Sequence, residues 1–282
     1  MRARAAMFDT TNEQYLISSG TERFIVSTDD SIIARKLYSE RQFDLDKFYL
    51  ASQLTNFSAT ESTFIDVGAN IGSICLPLLK RKEVNHAIAI EPEGQNFRLL
   101  RANAILNEVD ARLTALNVAV CESDGEDLVL ELSNDNHGDH RIRVSRSAGN
   151  FDEPNRAECH VQGVSLDTLL SEHAPKSLET KDRSTFLWID TQGYEGAVLK
   201  GATRTLSVGH PLVMEFWPYG LKRSGGYNDL KSALGTSSYK WVFDLSETAP
   251  AARTLSDETL DAIYSRLGEA WPFTDLLLTS DP

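Results

Sequence analysis

The stretch FIDVGANIGSICL, residues 64–76, begins with apolar residues, passes through an aspartate and two glycines, and continues with apolar residues at helical spacing. A strand, a glycine-rich turn and a helix in this order form the unit with which many α/β proteins hold a nucleotide. The stretch therefore predicts a strand–turn–helix unit at the centre of the fold. It also raises the question of which ligand the turn holds.

The turn has the wrong spacing for a dinucleotide. A site of the NAD type requires G-x-G-x-x-G, but Asn70 and Ser73 stand where the second and third glycines would follow Gly68. The spacing present is D-x-G-x-N-x-G, from Asp66 to Gly72. A carboxylate at the strand end favours a ligand with a positive end, such as S-adenosylmethionine, over NAD with its two phosphates. A tight turn that holds no ligand is the alternative.

Acidic residues also end the apolar runs that follow. The run AIAIE ends at Glu91, whose carboxylate can accept hydrogen bonds from both ribose hydroxyls of a nucleoside. The run FLWID ends at Asp190 and leads to Gly193 and Glu195, and LVME ends at Glu215. Each acid alone could be a helix cap or a solvated strand end. Together they predict a nucleoside site, because parallel strands bring their carboxyl ends to one edge, where ligands bind.

The chain as a whole alternates short apolar runs with amphipathic segments, which is the pattern of an α/β protein with a parallel sheet. Two more runs near the C-terminus flank a predicted helix, 255–268, and would close the sheet with an antiparallel pair. We predict a mostly parallel seven-stranded sheet with helices on both faces. The predicted strands are 63–67, 87–91, 113–120, 185–190, 212–216, 239–245 and 273–279.

Two regions lie outside this alternation. Residues 1–60 contain a hairpin candidate, 14–28, and an amphipathic run, 31–54, and we predict that they form an N-terminal cap on the core. After the third predicted strand, residues 122–163 show period-two segments around polar loops, which predicts an antiparallel insertion. The core domain would then be 61–282, with the insertion overhanging its ligand site.

Composition excludes several classes of function. The chain has 41 acidic and 28 basic residues and a formal net charge of −13, which disfavours a nucleic-acid partner. Its three cysteines have no metal-binding spacing, so we predict reduced thiols and no structural zinc. No apolar run reaches the length of a membrane span, and the N-terminus has no signal-peptide pattern. We therefore expect a cytoplasmic protein with no membrane span.

Three segments carry a specific resemblance. FIDVGANIG at 64–72, AIEPEGQNFRLLRANAILN at 89–107 and WIDTQGYEGAVLKGA at 188–202 resemble, in order, the motifs of the FkbM family of S-adenosylmethionine-dependent methyltransferases. Residues 29–54 and 163–170 are similar to other parts of that family, so the resemblance covers most of the chain. It implies a class I methyltransferase fold, which is Rossmann-like, with S-adenosyl-L-methionine as cofactor. It also implies methyl transfer to a hydroxyl of a sugar, a polyketide or another metabolite.

The resemblance also implies roles for individual residues. It implies a methionine and nucleoside cradle at Asp66, Gly68, Asn70 and Gly72, a ribose clamp at Glu91, and a motif D-x-x-G-x-E facing the reaction centre at Asp190, Gly193 and Glu195. We count Asp190 and Glu195 among the predicted cofactor-binding residues, together with Asn117, which would face the adenine. The chain departs from the family at Thr191 and Gln192, where a small apolar residue and a glutamate are more usual.

Methyl transfer to an alcohol requires a base, because an alcohol is a weak nucleophile even when it is aligned with the methyl carbon. His137 and His140 are candidates, since both lie in a loop of the insertion and histidine changes charge near neutral pH. For each histidine a solvated turn residue is the alternative. Asp190 is better placed but is a weaker base unless it is buried. Glu215 is the fourth candidate.

A metal site is the alternative role for some of these acids. Asp135, Asp139, Asp190 and Glu215 could supply oxygen ligands to magnesium, but they lack any fixed ligand spacing. We therefore predict no metal.

The acceptor is predicted as a small molecule or a carbohydrate, on which Trp217 or Tyr219 could stack. N-methylation of a small amine is a second reading, although the nucleobase-amine signature N/D-P-P-Y/F is absent after the fourth predicted strand. A non-catalytic module that binds cofactor and acts through its cap and insertion is a third. The identity of the acceptor and the oligomeric state are open.

Overall fold

The computed structural model describes residues 1–181 and 184–281. Its N-terminal cap contains the predicted hairpin, whose two strands pair antiparallel. The amphipathic run 31–54 forms two helices, separated where Arg41 and Asp44 adopt left-handed φ angles of 67° and 48° that a helix cannot continue through. The cap elements are α1 (Arg2–Thr10), β1 (Tyr15–Ser19), β2 (Arg23–Ser27), α2 (Ile33–Glu40) and α3 (Leu45–Thr55).

The first half of the core alternates strands and helices as predicted. Its first helix begins only at Cys75, so that Pro77 lies in the first turn, where a helix leaves backbone N–H groups unpaired and tolerates proline. The elements are β3 (Thr63–Val67), α4 (Cys75–Lys80), β4 (His86–Ile90), α5 (Gly94–Leu106) and β5 (Leu113–Leu116).

The third predicted strand, 113–120, is wrong in its extent. The chain leaves the core sheet after β5, and the next strand pairs in parallel with the last strand of the insertion. The insertion has the predicted antiparallel pairings, although its middle strand is only two residues long. The elements are β6 (Ala119–Val120), β7 (Asp127–Leu132), β8 (Arg141–Ile142), β9 (Ala157–Val164) and the helix α6 (Leu166–His173) that leads back to the core.

The second half of the core completes the sheet. The predicted helix 255–268 begins at Asp257, because the hydroxyl of Ser256 accepts a hydrogen bond from the amide of Thr259 and caps the first turn. The elements are β10 (Thr185–Ile189), α7 (Glu195–Lys200), α8 (Thr203–Val208), β11 (Leu212–Phe216), α9 (Pro218–Ser224), α10 (Gly226–Gly235), β12 (Trp241–Asp244), β13 (Arg253–Thr254), α11 (Asp257–Leu267) and β14 (Thr274–Thr279).

The core sheet has the strand order β13-β12-β14-β11-β10-β3-β4-β5. The five strands from β11 to β5 are parallel, and β14 joins them antiparallel to β11. The seven predicted strands are all in this sheet, and the two-residue β13 adds an eighth. The chain winds outward from β3 in one direction and from β10 in the other. In open α/β sheets ligands bind at the carboxyl ends of the strands beside such a reversal.

Helices cover both faces of the sheet, as predicted, and each face has its own apolar core. On one face the ring of Phe48 in α3 packs edge-on against Phe64 and Phe186, with centroid distances of 5.6 and 5.4 Å. These two rings belong to β3 and β10, so the cap is packed directly on the two central strands. Among the residues that the structure describes, no helix is long and apolar enough to cross a membrane.

The hairpin of the cap is joined to the core by two asparagine side chains of α5. The Asn107 amide exchanges two hydrogen bonds with the backbone of Arg23, at 2.9 and 2.6 Å. The Asn103 amide does the same with Ile25, at 2.7 and 3.3 Å. Each side-chain amide therefore satisfies one N–H and one C=O of β2 on the edge that β1 does not use.

The turn after β3 passes very close to the end of β10. Gly68 has a φ of +88°, and a Cβ atom there would lie 1.8 Å from the carbonyl oxygen of Asp190. Gly125 provides a comparison, because its φ is +80° but a Cβ atom there would meet nothing within 4 Å. A left-handed conformation costs a non-glycine residue roughly 1–2 kcal/mol, whereas a collision with backbone requires the strands themselves to move.

We expect Gly68→Ala to destabilise the protein by about 3 kcal/mol or more, since it combines backbone strain with a clash. Gly125→Ala should cost only about 1 kcal/mol, because it has the strain alone. The free energy of unfolding in urea measures both. Equal losses in the two variants would contradict a close approach at Gly68.

Candidate active site

A cavity of about 240 Å³ opens at the carboxyl ends of the central strands. The strand ends supply its floor, while the cap and the insertion supply its sides. The predicted site residues that line it are Asp66, Gly68, Asn70, Glu91, His137, His140, Asp190, Glu215 and Trp217. Gly72, Asn117, Glu195 and Tyr219 do not line it.

The turn at residues 68–72 uses its own backbone amides. Those of Gly68 and Ala69 donate to the carbonyl oxygen of Ile90, and that of Asn70 donates to the Glu91 carboxylate. The amide of Ile71 donates to the Asn70 side-chain oxygen, and that of Gly72 donates to the Ala69 carbonyl oxygen. A turn that holds phosphate must offer its amides to the ligand. This one has none of these five amides free, which favours a ligand without phosphate.

Gly72 lies on the side of the turn that faces α4 and α5. Its φ is +85°, and a Cβ atom there would lie 2.5 Å from Leu76 and 2.8 Å from Leu100. Its role in this structure is therefore to let the turn pack on α4 and α5, and not to line the cavity.

Asp66 is buried at the end of β3, and its Oδ2 atom has no hydrogen-bond partner among the described residues. Burial raises the pKa of Asp66 to about 7, although hydrogen bonds from the thiol and amide of Cys75 oppose the shift. An unsatisfied carboxylate oxygen at a cavity wall is a favourable partner for a positively charged group.

Glu91 follows β4 and lies beside Asp66 on the same edge of the sheet. Its two carboxylate oxygens accept the amides of Asn70 and Glu93, each at 2.8 Å. Burial raises the pKa of Glu91 to about 8, against these two hydrogen bonds. Since a carboxylate oxygen has two lone pairs, each oxygen retains an acceptor site for a ligand hydroxyl.

Asn117 is exposed and its amide donates to the carbonyl oxygens of Glu91 and Pro92. Its side chain thus holds the end of β4 in place. The geometry gives no support to the predicted contact with adenine. Val118, Ala119 and Val120, the next three residues, line the cavity instead.

On the other side of the cavity, Gln192 connects two acids. Its amide nitrogen donates to Asp190 Oδ1 at 2.7 Å and lies 3.1 Å from both carboxylate oxygens of Glu215. Burial raises the pKa of Asp190 to about 7, and the charges of Asp275 and Glu195 add to the shift. Burial also raises the pKa of Glu215 well above its usual range. The resembled family more often has a glutamate at the position of Gln192. Here the neutral amide donates a hydrogen bond between the two acids, where a glutamate would add a third carboxyl group.

Glu195 has a different place from the one predicted. It is fully buried, and its Oε1 atom accepts hydrogen bonds from the amides of Thr191 and Gly193 and from the Thr191 hydroxyl. Gly193 has a φ of +97°, and a Cβ atom there would lie 2.5 Å from the Cα atom of Gly220. Both residues shape the turn that presents Asp190 and Gln192, and neither lines the cavity.

The two histidines lie together on the insertion, with ring centroids 5.4 Å apart. Burial lowers the pKa of His140 to about 3, and the charges of His137 and Arg156 add to this. Its Nδ1 atom accepts the amide of Ser133, so the other ring nitrogen carries the hydrogen. His140 is therefore neutral, and its low pKa makes it poorly suited to act as a base.

His137 holds the insertion against the turn at residues 68–72 through its backbone. Its carbonyl oxygen accepts hydrogen bonds from the side-chain amides of Asn70 and Asn96, at 2.9 and 3.0 Å. The same loop is tied to the cap, because Ser31 donates its amide and hydroxyl to the carbonyl oxygen of Asp135. This loop of the insertion is thus held by the core at His137 and by the cap at Asp135.

Several lining residues were not predicted. Asp275 pairs with Glu215 across β14 and β11, and Lys47 of the cap reaches into the same cavity. The signal for Asp275 is an acid within the apolar run of the last strand, which would align with the acid ending β11. Aromatic rings surround this part of the cavity. Those that line it are Phe43, Trp188, Tyr194, Trp217, Trp271 and Phe273, and of these Trp217 was predicted.

Tyr219 lies outside the cavity, where its hydroxyl donates to Glu153. The described residues contain no group of three histidine, cysteine, aspartate or glutamate side chains arranged to hold a metal ion.

An α/β sheet with acids gathered at its carboxyl edge, beside the reversal of strand order, defines a Rossmann-like enzyme that binds a nucleoside. The sequence matches the methyltransferase FkbM domain over residues 66–228, more than half of the 282-residue chain. The chain therefore belongs to the FkbM family of methyltransferases, as its motifs indicated. No curated protein matches it.

Solved structures with related folds are distant. TYW2 from M. jannaschii in complex with AdoMet is 12% identical over 95% of this chain and 86% of its own, with a TM-score of 0.42. Precorrin-6y C5,15-methyltransferase from Geobacter metallireducens is 10% identical over 82% and 86%, with a TM-score of 0.38. TYW2 from P. horikoshii with MeSAdo is 11% identical over 96% and 73%, with a TM-score of 0.40.

The raised pKa of Asp66 predicts a stability that falls as the pH rises. In the unfolded chain an aspartate ionises near pH 4, whereas folded Asp66 holds its proton up to about pH 7. Between these values the folded state binds more protons. The free energy of unfolding of the cofactor-free protein should therefore fall by up to about 1.4 kcal/mol per pH unit from this group alone.

Asp66→Asn keeps the shape but cannot ionise, so its stability should fall less steeply over this pH range than that of the wild type. Urea unfolding at a series of pH values measures the slopes. The same change at the exposed Asp46 is the control and should leave the slope unchanged. If Asp66→Asn keeps the slope of the wild type, the buried carboxyl is not the cause.

Proposed function

We propose that the protein is an S-adenosylmethionine-dependent O-methyltransferase that acts on a hydroxyl of a polyhydroxylated small molecule or sugar. The observation that carries this proposal is one cavity with two different acidic sides. One side has Asp66 and Glu91 beside a turn without free amides, and the other has Asp190 and Glu215. The first suits a cationic nucleoside and the second suits deprotonation of an acceptor.

The cofactor side fits S-adenosylmethionine on two grounds. The unpartnered Oδ2 atom of Asp66 supplies a negative partner for the ammonium or sulfonium charge. Glu91 retains acceptor positions for the ribose hydroxyls. Binding of a cation would favour the ionised forms of both carboxyls, whose pKa values burial raises to about 7 and 8.

When bound, S-adenosylmethionine supplies a methyl group on a positively charged sulfur, which keeps the electron pair of the broken carbon–sulfur bond. The chain's own contribution is to align the acceptor hydroxyl with that methyl carbon and to remove its proton as the new oxygen–carbon bond forms. We assign proton removal to Asp190. Its raised pKa of about 7 is close to neutral pH, where a base is most effective.

The acceptor side favours a molecule with several hydroxyls. Asp190, Glu215 and Asp275 offer hydrogen-bond acceptors, while Gln192 offers a donor. Trp271 is 72% exposed and lines the cavity, so its ring is available to stack on a sugar-like face.

We expect the protein to bind S-adenosylmethionine and its demethylated product, but not NAD, in calorimetric titrations, because phosphates meet acids and no free amides at the turn. Asp66→Asn and Glu91→Gln should each weaken binding about tenfold or more, since a charged hydrogen bond contributes roughly 1.5–3 kcal/mol. Asp46→Asn is the control and should bind like the wild type. A folded protein that binds neither sulfur nucleoside would refute the cofactor assignment.

We expect Asp190→Asn to lower methyl transfer at least about 100-fold, because a positioned base contributes roughly 10²–10⁴-fold. Transfer of a labelled methyl group to a panel of sugars, glycosides and amines measures the rate. Cofactor affinity should stay near that of the wild type, because the cradle lies on the other strands.

His137→Ala and His140→Ala are the comparison variants in this assay, and both should retain more activity than Asp190→Asn. The reverse order would move the role of the base to a histidine. Activity in excess chelator would agree with a mechanism without metal. Transfer to amines alone would favour N-methylation, and cofactor binding without transfer to any acceptor would favour a binding module.

A further inference from the structure

Lys47 is the one lysine or arginine among the described residues that line the cavity. It comes from α3 of the cap, and its side chain is about a quarter exposed. The carboxyl groups in the same lining belong to Asp44, Asp66, Glu91, Asp139, Asp190, Glu215 and Asp275.

The Lys47 ammonium is held between two acids. Its Nζ atom lies 2.5 Å from Asp275 Oδ2 and 2.8 Å from Asp44 Oδ2. The ring of Phe273 lies beside it, with the centroid 5.6 Å from Nζ. Phe48, the next residue of α3, is buried against the sheet and fixes the helix from which Lys47 extends.

The acid paired with Lys47 belongs to the acceptor side of the site. Asp275 is the direct neighbour of Glu215 across the β14–β11 ladder, and Gln192 joins Glu215 to Asp190. The Lys47 charge is therefore connected to Asp190 through adjacent side chains. Lys47 and Asp275 both lie outside residues 66–228, so the family match assigns no role to either.

We propose that Lys47 is a positioning residue of the active site, whose ammonium, fixed against Asp275, keeps Asp190 in the ionised form that can take the proton of the acceptor. The N-terminal cap then completes the catalytic centre. The catalytic part of this inference rests on the proposed role of Asp190 as base, whereas the electrostatic part does not.

The charges around Asp190 act in opposite directions, and the charge that favours its ionised form is that of Lys47. Burial raises its pKa, the Gln192 hydrogen bond opposes this, the negative charges of Asp275 and Glu195 raise it further, and Lys47 lowers it. Glu215 is the remaining acid beside it.

Lys47 itself stays charged in this surrounding. Burial lowers its pKa, but the carboxylates of Asp275 and Asp44 outweigh burial and hold the pKa above its usual range. Burial raises the pKa of Asp275, and Lys47 opposes that shift. Lys36 is the other cation near Asp44, at 3.3 Å, but it does not line the cavity.

The test measures the protonation of Asp190 directly, without an acceptor. The full-length protein is labelled with ¹³C at the aspartate carboxyl carbons, and the Asp190 resonance is identified by its loss in Asp190→Asn. Its titration midpoint is then followed by NMR in the wild type and in Lys47→Met, Lys47→Arg, Lys36→Met and Asp275→Asn.

We expect Lys47→Met to raise the midpoint by about one pH unit or more, a tenfold increase in proton affinity, because a stabilising positive charge is removed. Asp275→Asn should move it in the opposite direction, because a negative charge is removed. Lys47→Arg should restore most of the wild-type value, since it keeps the charge. Lys36→Met also removes a cation that pairs with Asp44, but Lys36 does not line the cavity. This variant should leave the Asp190 midpoint unchanged.

An Asp190 midpoint that is the same in folded Lys47→Met and in the wild type would overturn the inference, as would an equal shift in Lys36→Met. If Lys47→Met does not fold, the same titration is made on Lys47→Gln, where an unchanged Asp190 midpoint overturns the inference and a raised midpoint supports it. A different result would contradict the proposed function. Full methyl transfer by Asp190→Asn would remove the base assignment, while the NMR shifts would still establish the electrostatic role of Lys47.

Discussion

The site depends on the contact between Gly68 and the carbonyl oxygen of Asp190, where two backbones approach with no room for a side chain. The amide of Asp190 also donates to the carbonyl oxygen of Val67, so that the ends of β3 and β10 are joined from both sides. Neighbouring strands lie about 4.8 Å apart. This contact therefore keeps the predicted cofactor cradle and the proposed base on adjacent strand ends, where alignment of the reactants can supply much of the rate enhancement.

The cap belongs to the site as well as to the core. Successive residues of a helix point roughly 100° apart, so α3 can bury Phe48 against the central strands while Lys47 enters the cavity. Packing of an apolar ring thus fixes the position of a charge. The insertion works in a similar way from the other side, where the His137 carbonyl oxygen binds two core asparagines.

Local sequence patterns were sufficient to predict the strands that end in an acid, because an apolar run ending in a carboxylate is visible without knowledge of the fold. The third strand has no such ending and was predicted too long, since its last residues pair with the insertion. The contact of Lys47 with Asp275 was not predictable in this way, since it joins opposite ends of the chain and depends on how the cap packs. The weakness of His140 as a base was also hidden, because burial sets its pKa. Asn117 stands at a plausible position, yet its amide binds backbone carbonyl oxygens instead of facing the cavity.

The side chains of two asparagines in α5 form the hydrogen bonds to β2 that a neighbouring strand would otherwise form. Four residues along a helix rise about 6 Å, and two residues along a strand rise about 6.8 Å, so Asn103 and Asn107 match Ile25 and Arg23 in spacing. A shift of β2 by one residue would turn these backbone groups to the wrong edge. The position of β2 along the core helix is thus fixed by two side-chain amides, whatever the side chains of β2 are.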